Sequence, residues 1–524
     1  MDHNKIGLFF NTIRFLKPKQ VFFQIWYRIK GVWPFRVSYN NFNDKIYLSK
    51  WNDIIFNVRT FKGNNTFKFL NIEEQFKNSI DWNIKKHKKL WTYNLNYFDY
   101  LNQNNISKSD GLYLIKKFIN NYNKIKDGKE SYPTSLRLIN WIKFISKHKI
   151  QDLQILKTIR EDVNRLYYNL EYHLLANHLL ENAFALWFSA HFFKDSSYLK
   201  KSNYLLKKEL NEQILRDGAH FELSPMYHQL MLYRILDCIN LANLNSFADK
   251  KIISYLKFVA SRMISWLNQI TFGSGNIPLF NDSANNINPS TVDLINYASE
   301  LNIRINEIEL SESGFRKFTG KNYEIIMDVA NVTPSYNPGH SHADTFNFEL
   351  YVNNKPIIVD TGTSTYNICQ ERDYQRSTKA HNTVTVNERN SSQVWSGFRV
   401  ASRANVTIIS DKHNYVSAIH NGYKNYKVLH KRSWYNKKDE IEIKDILIGK
   451  KVEGKLFLHF YPDVKFKEKN NTFLINENIE INFNNYQKIR VLNSTYSPEF
   501  NLTLTKKTLE VSFENEILTK IKIN

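Results

Sequence analysis

Two cysteines in 524 residues, Cys238 and Cys369, stand far apart and outside any C-x-x-C pattern. Neither a disulfide framework nor a cysteine-based zinc finger can therefore organise this chain. Glycine (16) and proline (11) are sparse, which excludes collagenous and low-complexity architectures. No run of about 18 uncharged apolar residues occurs, so no transmembrane helix is expected. The apolar run Ile6 to Phe10 is broken at once by Asn11, Thr12 and Arg14. It is too short for a signal-peptide core and lacks a small-residue cleavage site. These absences predict a cytoplasmic or inner-membrane-associated protein, with a periplasmic location by an atypical route left open. Acidic residues are also in deficit: 50 Asp and Glu face 72 Lys and Arg, a formal charge of +22. A field of that sign favours an acidic partner: nucleic acid, an anionic membrane or a polyanionic glycan. A bias towards Lys, Asn and Ile throughout the chain would produce the same sign. No helix-turn-helix, zinc-finger or RNA-stacking motif is legible and the lysines are spread, so nucleic acid is the weakest of the three.

What is present is ordinary globular material, 42% apolar and 23% charged, long enough to bury a core without staples. Aromatic residues, 15% of the chain, suffice for both cores and sugar-stacking platforms. Between Arg14 and Phe35, Lys17, Lys19, Arg28 and Lys30 mix with Phe22, Phe23, Trp26 and Trp33. This mix suits peripheral contact with an anionic membrane, while a helix docked on the protein body is the leading expectation.

Up to about residue 310 the apolar spacing is helical, as in Leu112-Ile115-Ile119, Leu138-Trp141-Ile142-Ile145 and Leu206-Leu210-Ile214. Near residue 311 the period falls to two. Phe346, Phe348, Leu350 and Val352 alternate with Asn347, Glu349 and Tyr351, and an Asn353-Asn354 turn leads into Pro356 to Val359. Further short strands are expected at Thr383 to Val386, Val406 to Ile409, Ile441 to Ile448, Leu456 to Phe460 and Ile517 to Ile523. Helices followed by strands argue for an α+β multidomain chain and against a doubly wound sheet. The expected divisions are a helical extension over 1–85, a helical domain over 86–310 and an antiparallel β-sandwich over 311–524.

Three clusters carry chemistry. The first is an apolar helix, Leu174 to Phe188, on which His173, Asn177 and Glu181 stand at i, i+4 and i+8, with His178 beside them. The second is Asp217-Gly218, then Ser224-Pro225-Met226-Tyr227-His228, whose punctuation places Tyr227 at a helix start. A tyrosine in a basic cleft can both accept and donate a proton, although a buried, hydrogen-bonded tyrosine reads the same way. The third is His340-Ser341-His342-Ala343-Asp344. Its two histidines would share one side of a strand, about 6.5–7 Å apart. His342, Asp360 and His381 together make a donor set suited to Zn²⁺. Arg137 and Trp141, at i and i+4, could offer an acidic sugar a cation and a stacking ring, or serve in helix packing.

In order, Arg137-Leu138-Ile139-Asn140-Trp141, Asn177-His178-x-x-Glu181, Asp217-Gly218…Ser224-Pro225-Met226-Tyr227-His228 and His340-Ser341-His342-Ala343-Asp344 resemble the heparinase II/III superfamily of polysaccharide lyases. So do Val359-Asp360-x-Gly362 and Arg376-Ser377-Thr378-x-Ala380-His381-Asn382-Thr383-Val384. The likeness covers roughly residues 90–400, and the opening segment is similar to members that accompany surface-glycan assembly genes. The resemblance implies an incomplete (α/α) toroid followed by an antiparallel β-sandwich, with the cleft between them. It implies β-elimination beside a uronic acid, on an acidic polysaccharide or oligosaccharide. Asn177 and His178 would neutralise the carboxylate, helped by a protonated Glu181. Tyr227 would act as acid and base for syn elimination, and His340 as base for the anti case. His342, Asp360 and His381 would hold a structural Zn²⁺. Tyr374 and Arg376 lie where relatives supply further substrate contacts. Two other classes compete. One is a non-lytic glycan-binding or assembly protein on the same fold. The other is a glycoside hydrolase, for which Glu181 and Glu222 are the nominal carboxylates.

Overall fold

The computed structural model describes residues 3–30, 49–469 and 472–524. The part of the basic-aromatic segment that carries Trp33 and Phe35 lies outside them. Two helices open the described chain, α1 (His3–Ile13) and α2 (Pro18–Lys30). The helical domain comprises α3 (Lys88–Tyr97), α4 (Lys108–Asn121), α5 (Ser131–His148), α6 (Leu153–Tyr168), α7 (Ala176–Phe193), α8 (Ser196–Gln213), α9 (Pro225–Leu244), α10 (Lys250–Ile270) and α11 (Thr291–Glu300). Local sequence sets where several of them begin. Asp152 and Asp195 accept backbone N–H groups at the starts of α6 and α8. Ser290 and Asp293 form a reciprocal capping box on α11.

Consecutive helices pack into an incomplete (α/α) toroid around one apolar core that includes Trp91, Trp141, Trp187 and Trp266. The segment expected as a helical extension, 1–85, also contains a three-stranded antiparallel sheet: Phe61–Gly63, Thr66–Phe69 and Ile72–Gln75. Its Phe67 and Phe69 alternate inward onto Tyr100 and Trp91, so this ribbon packs on the core of the helical domain.

The strands of the β domain begin at Phe315. A four-stranded antiparallel sheet runs Phe315–Thr319, Tyr323–Asp328, Phe348–Val352, Lys355–Ile358 in sequence order. A ten-stranded sheet faces it, built on the long hairpin of Ile479–Glu499 and Leu502–Ile523. Together they form the β-sandwich. The turn expected at Asn353-Asn354 joins the last two strands of the smaller sheet, both residues with positive φ. The strand Phe348–Val352 is buried on both faces rather than on alternate ones. Its second face meets the toroid, where Tyr351 stacks on Phe272 at 3.8 Å.

The seam between the domains is polar as well as aromatic. One oxygen of Asp217 accepts the N–H groups of Ser311 and Ser313, both at 3.0 Å, and the Ser313 hydroxyl at 2.6 Å. The next residue, Gly218, has φ +96°, and a Cβ there would sit 2.2 Å from the Arg262 carbonyl oxygen. Only glycine fits that turn.

Candidate active site

Two helix starts, one strap and one loop converge at the seam. Asn177 and His178 occupy the first turn of α7, preceded by Leu175 and Ala176 at positive φ. That sharp entry places His173 in the turn before the helix, so the expected stripe of His173, Asn177 and Glu181 on one helix is corrected to Asn177 and Glu181 alone. Tyr227 stands in the first turn of α9, as its sequence punctuation predicts. The Ser224 side chain accepts its backbone N–H at 3.2 Å.

The strap is Asn281-Asp282-Ser283. The Ser224 hydroxyl donates to the Asp282 carbonyl, while the Asp282 N–H donates to the carbonyl of His340 at 3.0 Å. Asn281 accepts the N–H of His342 at 3.0 Å and donates to the Leu223 carbonyl. The strap therefore holds the start of α9 and the histidine loop in one register. Glu349 ties in the strap's approach, accepting N–H groups from Leu279 and Asp360.

His340 and His342 lie in irregular backbone rather than on the expected strand, but both reach Asp282. His340 Nδ1 is 3.0 Å from one carboxylate oxygen and His342 Nε2 2.8 Å from the other. Arg372, on the short helix α12 (Gln370–Gln375), forks onto the same carboxylate through both terminal nitrogens. Burial opposes a charge on Asp282. Arg372 and the two imidazoles outweigh it and hold the carboxyl well below its usual range.

The Tyr227 and His340 rings lie face to face, centroids 4.0 Å apart and 33° between planes. With Nδ1 directed at Asp282, His340 keeps Nε2 for an incoming proton. The Tyr227 hydroxyl is 3.4 Å from that of Tyr366. Burial, with the nearby charges of Asp282 and Glu222, raises the Tyr227 phenol above its ordinary value, so at neutral pH it stands as a proton donor.

On the α7 side, Asn177 donates its amide to both oxygens of Glu222 at 2.9 Å. His178 Nδ1 meets Glu171 at 3.1 Å and its ring packs on Tyr132 at 4.7 Å, while a third of the side chain stays exposed. Burial presses the His178 pKa down, but the Glu171 charge and hydrogen bond outweigh that and raise it. The shift favours the cationic form of a ring that stays accessible at the cleft.

Several expected contacts are corrected by burial. Glu181 is fully enclosed and paired with Arg234 at 3.3 Å, so it cannot touch a sugar. Arg137 and Trp141 belong to the toroid core. Arg137 grips Asp162 at 2.6 Å over the Phe118 ring, and Trp141 packs edge-on against Phe98 and Phe118. Arg376 is also enclosed, and its guanidinium binds the carbonyls of Ser341, Trp395 and Arg399. It braces the histidine loop from behind. Tyr374 turns to Thr361 and Ser494 within the β domain, and Tyr366 is the tyrosine that meets Tyr227. Of the two carboxylates considered for hydrolysis, Glu181 is enclosed, its carboxyl raised by burial despite Arg234, and Glu222 accepts the Asn177 amide.

Sequence reasoning missed Asp282, Arg372, Tyr366 and Glu171. The only available signal was their polarity in short loops or, for Arg372, a short helix, and no spacing rule connects Asp282 to Arg372 across 90 residues.

Of the three residues expected to hold zinc, His381 Nδ1 lies 2.7 Å from Asp360, and the His342 and His381 rings are 5.4 Å apart. Among the described residues no three His, Cys, Asp or Glu side chains form a ready metal cage. The donor chemistry nonetheless fits such an ion. His342 Nδ1 and His381 Nε2 are buried without a hydrogen-bond partner. Burial pushes the His342 imidazole down to about 3, which keeps it in the neutral form that binds metal.

Residues 131–303 match the family model described as heparinase II/III N-terminus, and residues 305–523 match heparinase II/III-like, C-terminal. The chain is 26% identical over 318 residues to a heparin-sulfate lyase of Bacteroides stercoris, covering 55% of this chain and 46% of that protein. A heparin-sulfate lyase of Pedobacter heparinus is 26% identical over 226 residues, covering 38% of this chain and 33% of its own length. The matches thus span less than half of these curated relatives. Among solved structures, a heparinase III superposes with a TM-score of 0.63 at 15% identity, covering 86% of this chain and 80% of its own. The heparan sulfate lyase HepC from Pedobacter heparinus gives 0.56 at 16% identity, covering 88% and 81%. At such identities the superpositions establish the fold.

Proposed function

The chain belongs to the heparinase II/III-like family, and from that premise we propose that it is a polysaccharide lyase. Its substrate is an acidic, glycosaminoglycan-like polysaccharide containing uronic acid, cleaved by β-elimination. The observation that carries this reading is the Tyr227–His340 pair, a protonated phenol whose ring centroid lies 4.0 Å from that of an imidazole oriented by Asp282.

Elimination needs a weakly acidic C5 proton to leave beside a carboxylate, so that carboxylate must be neutralised. His178, with its raised pKa, supplies the charge. The Asn177 amide, engaged by Glu222, turns to the substrate carboxylate by sharing that hydrogen bond. His340 Nε2 takes the C5 proton, the C4–C5 double bond forms and the C4–O4 bond breaks. The Tyr227 hydroxyl protonates the departing O4, and the proton on His340 restores the phenol through solvent. Tyr227 and His340 thus divide the acid and base roles.

The zinc is likewise a proposal: His342, Asp360 and His381 would hold a structural ion, supported by their two partnerless imidazole nitrogens. It would fix both imidazoles and, through His342, the loop that bears His340. Metal analysis of purified protein, with melting before and after chelation, tests it. About one zinc per chain and a lower melting temperature on chelation support it; no zinc and no shift contradict it.

The lyase reading is tested by incubating the protein with acidic polysaccharides and following ultraviolet absorbance of the unsaturated uronate product. Tyr227→Phe serves as the control. Binding of a glycan without product would instead indicate the non-lytic role.

A further inference from the structure

The first 30 residues contain Lys5, Arg14, Lys17, Lys19, Arg28 and Lys30, and between His3 and Lys30 no acidic residue at all. One side of this helix pair is fixed to the body. Trp395 Nε1 donates to Thr12 at 3.1 Å, and Arg403 stacks on Phe15. Lys17 pairs with Glu212 and lies over the Tyr336 ring. Gln20 donates to the Leu174 carbonyl, and Phe23 packs on Tyr172 at 4.7 Å. The pair thus straddles the seam, touching the toroid through 172–174 and 212 and the β domain through 336, 395 and 403.

The other side faces solvent and is apolar. On α2, Phe22, Ile25, Trp26 and Ile29 stand at i, i+3, i+4 and i+7, all exposed, Ile29 to 75%. On α1, Ile6, Phe9 and Phe10 continue the pattern, Phe10 at 62%. A soluble surface does not ordinarily gather so many large apolar groups on one helix stripe. Exposed Arg14 and Arg28 rim it.

We infer that this face docks on an anionic membrane surface. The stripe is exposed and aromatic with a basic rim, the pattern of an interfacial helix whose apolar side enters the headgroup boundary while its cations meet lipid phosphates. Charge decides against the obvious alternative, a second copy of this chain. Pairing two molecules of +22 through a segment without acidic residues brings like charge to like. None of the described helices is long and apolar enough to cross a membrane, so the contact is peripheral. This inference is independent of the chemistry of the cleft.

Flotation of the full chain with phosphatidylcholine vesicles, with and without about one-third phosphatidylglycerol, tests it. The protein should rise with the anionic vesicles only, and less so at high salt. The triple substitution Phe22→Ser, Trp26→Ser, Ile29→Ser should lower the bound fraction about tenfold or more. Its melting temperature should not change, because these side chains touch little of the body. Arg14→Gln with Arg28→Gln should weaken binding to anionic vesicles alone. Failure to float with anionic vesicles overturns the inference, as does equal flotation of the triple variant. A dimer seen by light scattering and dissolved by the triple variant would instead assign the face to protein contact.

Discussion

Asp282 is the residue on which fold and chemistry depend together. Its carboxylate is fully enclosed and satisfies Arg372, His340 and His342 at once. Asp282→Asn preserves shape but removes the charge, leaving the equally enclosed Arg372 guanidinium unpaired. Breaking a buried pair on one side costs about 3–5 kcal/mol, and that is the expected loss in denaturant unfolding. Replacing both partners relieves the stranded charge, so Asp282→Asn with Arg372→Gln should recover much of the stability. Activity should not follow. An amide with no fixed preference for accepting from Nδ1 no longer sets the His340 tautomer, and general-base help worth about 10²–10⁴ in turnover should be lost in both variants. Urea unfolding and product formation, measured on the same preparations, separate the two effects. A double variant that regains full turnover would refute the positioning of His340 by Asp282. A single variant as stable as the parent would refute the buried pair.

Two further outcomes follow from the corrected site. Arg137→Met should destabilise the toroid by about 1–3 kcal/mol, because Asp162 loses two hydrogen bonds but keeps Arg165 and the Tyr122 hydroxyl, yet leave KM per folded molecule unchanged; a raised KM with normal stability would return Arg137 to the substrate. His178 has a pKa raised above its unfolded value of about 6.5, so its cation is fully present below that value and is lost as pH rises through the folded one. KM for an acidic oligosaccharide should therefore climb with pH, and Glu171→Gln should move that climb to lower pH. An identical profile in the variant would contradict the assignment.

Much of the architecture was legible because its signals are local. The shift from helical to two-residue periodicity near 311 marks the passage from α11, ending at Glu300, to the strand that opens at Phe315. Ser224-Pro225 announces the start of α9 and thereby Tyr227. The small sheet at 61–75 was not legible, since three short strands of three or four residues carry almost no periodicity. Site residues divide along the same line. Tyr227, His340, Asn177 and His178 sit in compact motifs, whereas Asp282 and Arg372 meet only through the tertiary fold. Arg137, Trp141 and Arg376 misled for a physical reason. A cation or a ring spaced for a ligand is equally spaced for a buried ion pair or an edge-on aromatic contact, and only burial tells them apart.

The most direct test of the central claim is the ultraviolet absorbance of unsaturated uronate released from acidic polysaccharides by the parent chain and by Tyr227→Phe. The variant should fold normally and turn over about 10²–10⁴ times more slowly on whichever glycan the parent cleaves. Equal rates for the two proteins, or a product whose new non-reducing end is saturated, would contradict β-elimination with Tyr227 as the acid.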